Sequence, residues 1–203
     1  LLSCSASKKE KINILTASLS SEISTLDPAN SYDQVSGTIV YQVYETLFEY
    51  NYLKRPYGLK PLLAEELPRP VKNGLQYTIK IKDNIFYHDD PCFEGTSRKL
   101  IAQDFVNQIK RLAFLPTKSN GWWLFKDKIV GLDAFRASVG SDMNKMLQVD
   151  VPGLKALDDQ TLLITLKKPY PQLLYALAMT FTSPMPEEAI RYYQNDLSRN
   201  MVG

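Results

Sequence analysis

Apolar positions recur along the chain at two different periods, and the switches between them outline its elements. Ile39, Val40, Val43, Tyr44, Leu47 and Phe48 repeat at i, i+1, i+4, i+5, which places one continuous stripe on a helix laid against a core. The residues before that stripe read as irregular: Asp27-Pro28 and the polar run from Asn30 to Gln34 break any helix, and Asp33 or Ser36 is placed to cap the one that follows. An exposed, polar, aromatic-bearing loop therefore leads into a rigid helix start, a common position for a ligand-reading segment.

Period two appears next. Asn73-Gly74 is a tight-turn signal, and Leu75 to Lys82 alternates, so that Tyr77, Ile79 and Ile81 face a core while Gln76, Thr78, Lys80 and Lys82 face water. A second turn at Asp83-Asn84 leads into Ile85 to Asp90. Phe105, Val106, Ile109, Leu112 and Ala113 return to the helical period, in a helix that begins near Leu100 and ends before Pro116. Residues 133–149 are weakly patterned but helical in character. Gly153 to Leu166 reads as strand, Asp158-Asp159 turn, strand, with Leu162, Ile164 and Leu166 on one face. Lys167 to Pro171 breaks that strand, Gln172 to Met179 is an apolar helix, and Ser183-Pro184-Met185-Pro186 leads to a helix start whose Glu187 and Glu188 suit the positive end of its dipole. Two further stretches are simpler: Lys11 to Ala17 is a short β-rich run fit to open a sheet, and the prolines between Asn51 and Pro70 exclude a central strand or long helix there.

Composition narrows the function classes. The 203 residues are 44% apolar, enough for a real core, and 24 basic against 22 acidic residues without dense runs give no electrostatic case for nucleic acid. No apolar run reaches the roughly 20 residues that a membrane-spanning helix needs. Catalytic patterns are sparse. There is no Gly-x-Ser-x-Gly elbow and no phosphate-binding glycine loop, and the single histidine, His88, lies in His-Asp-Asp-Pro-Cys without the paired spacing of a metal site. A metal-dependent or hydrolytic cell-envelope enzyme centred on His88 is the alternative this run leaves open, against a protein that is not an enzyme.

Several of these stretches, in order, resemble the peptide-binding family of extracellular solute-binding proteins, the capture subunits of ABC importers. They are Leu26-Asp27-Pro28 with Tyr44-Glu45-Thr46-Leu47-Phe48; Leu62 to Leu67; the alternating strand followed by Phe86-Tyr87-His88-Asp89; the Ala102 to Leu112 helix with its Lys110-Arg111-Leu112 end; and the Asp158 turn with the Pro-rich break after it. One departure is the longer loop Asp90 to Gly95 where the family has a glycine after His-Asp. Leu1-Leu2-Ser3-Cys4 is similar to the end of a bacterial lipoprotein signal peptide, so Cys4 is a candidate for lipidation and residues 1–10 for signal remnant and tether; a bridge from Cys4 to Cys92 is the alternative.

The resemblance implies an α/β fold, a periplasmic-binding-protein-like lobe with an inserted α/β subdomain and the second lobe missing. It assigns residues 1–47 and 168–203 to the first lobe and residues 48–167 to the insertion. It implies capture of oligo- or dipeptides by strand-like pairing to exposed backbone. Carried over by position, Tyr32, Asp33, Gln34, Val35 and Ser36 line the ligand cleft, Trp122 and Trp123 reach it from the insertion, and Ser183 and Met185 lie near it. It further implies no cofactor, a monomer that docks on ABC permease subunits, and a place in the periplasm or on the outer face of the cell membrane, held by a lipid anchor at Cys4. With half its cleft absent, the 203-residue chain alone is expected to bind peptide weakly.

Overall fold

The computed structural model describes residues 18–203; the strand expected over Lys11 to Ala17, the tether and Cys4 lie outside the described residues. Asp33 starts the first helix, α1 (Gln34–Val43), by accepting the Ser36 N–H on its carboxylate at 2.8 Å. The expected stripe continues past Val43 to Phe48, yet the helix stops there, because Tyr44 turns extended with its N–H still bonded to Val40. The chain after it still presents Leu47 and, at the start of a strand, Phe48 to the same core. That strand, β1 (Phe48–Asn51), pairs antiparallel with β2 (Gly58–Pro61) in a two-stranded ribbon, so the proline-rich passage holds an edge strand and not a central one.

The alternating segment forms β3 (Gln76–Lys80), with Tyr77, Ile79 and Ile81 buried as its period dictates. The Asn73-Gly74 turn forms, both residues having positive φ, but its hairpin is a single rung between Val71 and Gln76. The working partner of β3 comes from much later in the chain. Beyond Asp83-Asn84 there is likewise one bridge, Phe86 with Lys99, and no strand.

The helix α2 (Ala102–Ala113) is buried nearly all round, polar residues included. Asp104 in its first turn accepts the Ile101 N–H at 3.0 Å, tying off the helix start. The weakly patterned region divides into α3 (Leu132–Val139) and α4 (Met143–Gln148), split where Asp142 caps the second by accepting two N–H groups. The hairpin β4 (Leu154–Asp158) and β5 (Thr161–Thr165) turns at Asp158-Asp159 as expected. β5 is the centre of a three-stranded antiparallel sheet ordered β3-β5-β4, in which Tyr77 faces Ile164 and Ile79 faces Leu162. α2 packs on this sheet, and Ile79, Ile109, Leu112, Leu162 and Ile164 form the middle of one continuous core. The apolar helix expected over Gln172 to Met179 is one turn, α5 (Leu173–Ala176), followed by a 3-10 turn at Thr180–Thr182 and then α6 (Glu187–Tyr193). The mixed α/β reading holds, and the two sheets among the described residues are antiparallel.

Candidate functional site

The irregular segment before α1 is held from below by α2. The Asp27 carbonyl accepts the Asn30 and Ser31 N–H groups at 3.0 Å each, and its carboxylate accepts the Ala29 N–H at 2.9 Å, folding the Asp-Pro-Ala stretch into a turn. Arg111 grips the same carboxylate with both amino groups, at 2.6 and 3.2 Å, and bonds the Gln108 amide oxygen at 2.8 Å. Both charged side chains are buried, where pairing of this quality is what makes an ion pair tolerable. The other end of the Gln108 amide donates to the Phe181 carbonyl at 2.8 Å. One buried turn of α2 thus holds two segments far apart in sequence.

Between those segments lies a groove of about 350 Å³, with Tyr32, Gln34 and Tyr41 on one wall and Met179, Thr180 and Phe181 on the other. Tyr32 is 72% exposed and lies over Phe181, ring centroids 6.3 Å apart and nearly parallel. Asp33 beside it is anionic at any ordinary pH: the Ser24 hydroxyl at 2.5 Å, then the Ser36 N–H and hydroxyl, hold its carboxyl down at about 2. The N–H groups of Gln34 and Val35 belong to the helix's first turn and have no intrahelical acceptor.

A second loop is laced onto the first. Asn30 donates its amide to the Thr117 carbonyl at 3.1 Å, Ser119 its hydroxyl to the Ala29 carbonyl at 2.6 Å, and Asn120 its amide to the Asn30 carbonyl at 3.0 Å. Gly121 ends this lacing against the Phe181 ring, which would lie 2.7 Å from any Cβ added there. Trp122 and Trp123 follow immediately. Trp122 is half-buried with the Arg136 guanidinium 4.8 Å from its ring centre, and Trp123 is 56% exposed.

The nine expected ligand residues therefore separate. Tyr32, Asp33 and Gln34 line the groove, and Trp122 and Trp123 do not. Val35 is half-buried and turned off the groove. Ser36 is fully buried, its hydroxyl oxygen accepting the N–H groups of Ser24 and Thr25 at 3.1 and 3.3 Å, so its chemistry is spent on the fold. Ser183 and Met185 are fully buried in the core beneath, and neither reaches the surface. Sequence reasoning missed Tyr41 and the Met179 to Phe181 wall. Tyr41 had a signal, since Gln34, Thr38 and Tyr41 fall on one helical face opposite the apolar stripe; the far wall had none, being brought in by tertiary contact.

Two other cavities flank the groove. One of about 320 Å³ shares Tyr41 and is edged by Phe86, His88 and Glu45; the other, of about 640 Å³, lies beyond the Asp27–Arg111 pair. Its cations are already engaged, Arg191 by Glu187 at 2.6 Å and Asn144 at 2.8 Å, which leaves the smaller aromatic groove with the freer chemistry. The run after His88 does not converge. Asp90 accepts the Cys92 N–H and the Tyr193 hydroxyl, and Cys92 is buried, its thiol pushed up to about 12 by that burial and by Asp90. Among the described residues, no three His, Cys, Asp or Glu side chains come together as metal ligands. What the groove offers is an aromatic face, the Gln34 N–H of the helix start and one fixed carboxylate.

Residues 58–203 match the family of bacterial extracellular solute-binding proteins, family 5. The chain is 33% identical over 128 residues to the oligopeptide-binding protein AliA of Streptococcus pneumoniae, covering 63% of this chain and 18% of that protein. It is 25% identical over 206 residues to the glutathione-binding protein GsiB of Escherichia coli O1:K1, covering 100% of this chain and 32% of that protein. Among solved structures it resembles the pheromone receptor PrgZ, studied for its mode of peptide binding, with TM-score 0.70 and 27% identity over 89% of this chain and 32% of the other. It also resembles the periplasmic oligopeptide-binding protein OppAIV of Borrelia burgdorferi, with TM-score 0.71 and 26% identity over 90% and 33%. The chain spans a third or less of the length of each.

Proposed function

Because this chain belongs to the family 5 bacterial extracellular solute-binding proteins, we propose that it contributes one wall of a peptide-capturing cleft in the solute-binding component of an ABC importer. The observation that carries the reading is the groove at the head of α1, where Tyr32 over Phe181 offers an aromatic shelf beside the Gln34 N–H, which has no intrahelical acceptor. A peptide laid along it would give a backbone carbonyl to that donor and rest a side chain on the shelf, which reads the ligand as peptide without fixing its sequence. The Asp33 carboxylate favours the ligand's amino end over its carboxyl end at this wall. Oligopeptide-binding relatives and the peptide-binding receptor structure support the same ligand class.

Residues 1–47 and 168–203 form the first lobe and residues 48–167 the insertion; in support, Leu26 bonds the Ser198 carbonyl and Val202 bonds the Tyr44 hydroxyl, joining the outer segments. Cys4 carries the lipid that holds a monomeric protein at the outer face of the membrane, beside its permease subunits. The protein works by binding and closure and not by bond chemistry.

The test is native mass spectrometry of the protein purified gently from its own cells, together with Tyr32→Ala. Small peptide masses carried by the wild type and about ten-fold depleted in the variant, a loss typical of a stacking anchor, are expected. A wild-type protein carrying no peptide, or a variant carrying as much, overturns the reading.

A further inference from the structure

The β1–β2 ribbon ends in a tip that the peptide reading does not use. Asn51 pairs with Gly58, so residues 52–57, Tyr-Leu-Lys-Arg-Pro-Tyr, stand beyond the last rung. The apolar side chains there are turned outward: Leu53 is 81% exposed, Tyr52 70% and Tyr57 58%, and Tyr50 just below is 47% exposed beside Tyr175, ring centres 6.0 Å apart. None of residues 50–60 lines the groove or the two flanking cavities.

The charge on this tip is of one sign. Between Tyr50 and Ala64 there is no acidic residue, and Lys60 is the only cation there held by a carboxylate, that of Glu49 at 2.9 Å. Lys54 and Arg55 form no ion pair among the described residues. Arg55 instead donates to the Tyr52 and Lys54 carbonyls at 2.5 and 3.1 Å and lies 3.9 Å over the Tyr57 ring, which holds the tip in one shape.

We propose that this tip is a contact for an anionic membrane surface. Tyrosines and a leucine flanked by uncompensated Lys and Arg are what the headgroup region takes up, rings and leucine at the acyl boundary and cations against the lipid phosphates. A protein partner is the poorer match, since a stable interface buries about 800 Å² on each side and a single six-residue loop offers far less. A membrane has no such threshold: each cation near an anionic surface strengthens attachment about five-fold, and the contact stays weak and reversible. The inference does not depend on the peptide reading, which concerns another face.

The experiment is flotation of the 203-residue chain with vesicles of phosphatidylcholine alone and of phosphatidylcholine with phosphatidylglycerol, in low and in high salt. Co-flotation with the anionic vesicles only, weakened by salt, is expected. Lys54→Glu with Arg55→Glu should reduce it at least about 25-fold from two reversed charges, and Leu53→Glu at least about five-fold from lost apolar transfer. Lys155→Glu, exposed on β4, should leave it unchanged, and all variants keep the wild-type circular dichroism because each substituted side chain is exposed. Absence of wild-type flotation, equal flotation on neutral vesicles, or an equal loss in Lys155→Glu overturns the proposal; persistence of anionic binding in the double variant does so as well.

Discussion

Arg98 answers to two carboxylates from distant parts of the chain, Asp104 at 2.9 Å and Glu188 at 2.8 Å. Asp104 is fully buried, and burial pushes its carboxyl up to about 6 even with Arg98, the Ile101 N–H and the Tyr87 hydroxyl drawing it down. A folded value above the ordinary 3.8 means that its contribution to stability is complete below about pH 4 and is lost as pH rises through 6. Arg98→Met leaves the buried carboxylate unpaired and should cost about 3–5 kcal/mol at neutral pH. Without Arg98 the Asp104 carboxyl rises further, so that cost should shrink as pH falls towards 6 and the variant takes up a proton there, which urea unfolding of both proteins across pH 5 to 8 would check. Gly121 poses a steric test instead. Its Cβ would meet the Phe181 ring at 2.7 Å, so Gly121→Ala should lose about 1–3 kcal/mol by thermal unfolding and displace the ring on which Tyr32 rests. No sequence signal marks either residue, because Arg98 is joined to Glu188 and Gly121 meets Phe181, partners far off in the chain.

Among the elements, the sheet obeys its alternation closely enough to be tested strand by strand. Leu162 is fully buried on the central strand, and Leu162→Ala should cost about 2–5 kcal/mol, whereas Thr78→Ala on the outer face of β3 should fall within about 0.5 kcal/mol. Chemical denaturation of the pair decides it. The head of α1 carries a different signature. Asp33 sits below its ordinary 3.8, at about 2, so its help to the helix is present above pH 4 and lost as pH falls towards 2. Asp33→Asn keeps a cap but not the charge. Relative to that variant, the wild type should lose stability over this acid window, read by circular dichroism against pH. The helix end was harder to read. The i, i+1, i+4, i+5 series runs unbroken through Phe48, and only the turn at Tyr44, held by the Val202 N–H on its hydroxyl, shows that a helix and a strand share the stripe.

At the scale of the molecule, long-range ties do the assembling: Asp27 to Arg111, Arg98 to Glu188, Asp90 to Tyr193, Leu26 to Ser198. They fix the start, middle and final third of the described chain to one another, and α2 supplies the buried centre. The groove they create lies between two of those segments and is open to solvent. Since relatives of this family are about three times as long or more, calorimetry with short peptides should show no tight binding to the 203-residue chain and tight binding once the chain is extended to the relatives' length.

By itself the sequence determined the local elements with strong periodicity, β3, α2 and the β4–β5 hairpin, and a helix start capped by Asp33 or Ser36, because side-chain spacing and capping act within a turn or two. Ordered motifs carried the family. The tertiary structure alone decided that β3 pairs with β5 instead of with a neighbour, that Ser36, Ser183 and Met185 face inward, and that Phe181 forms the wall opposite Tyr32. Those outcomes rest on burial and on hydrogen bonds between segments far apart in the chain, such as Gln108 to Phe181, and no local pattern encodes which distant segment will arrive.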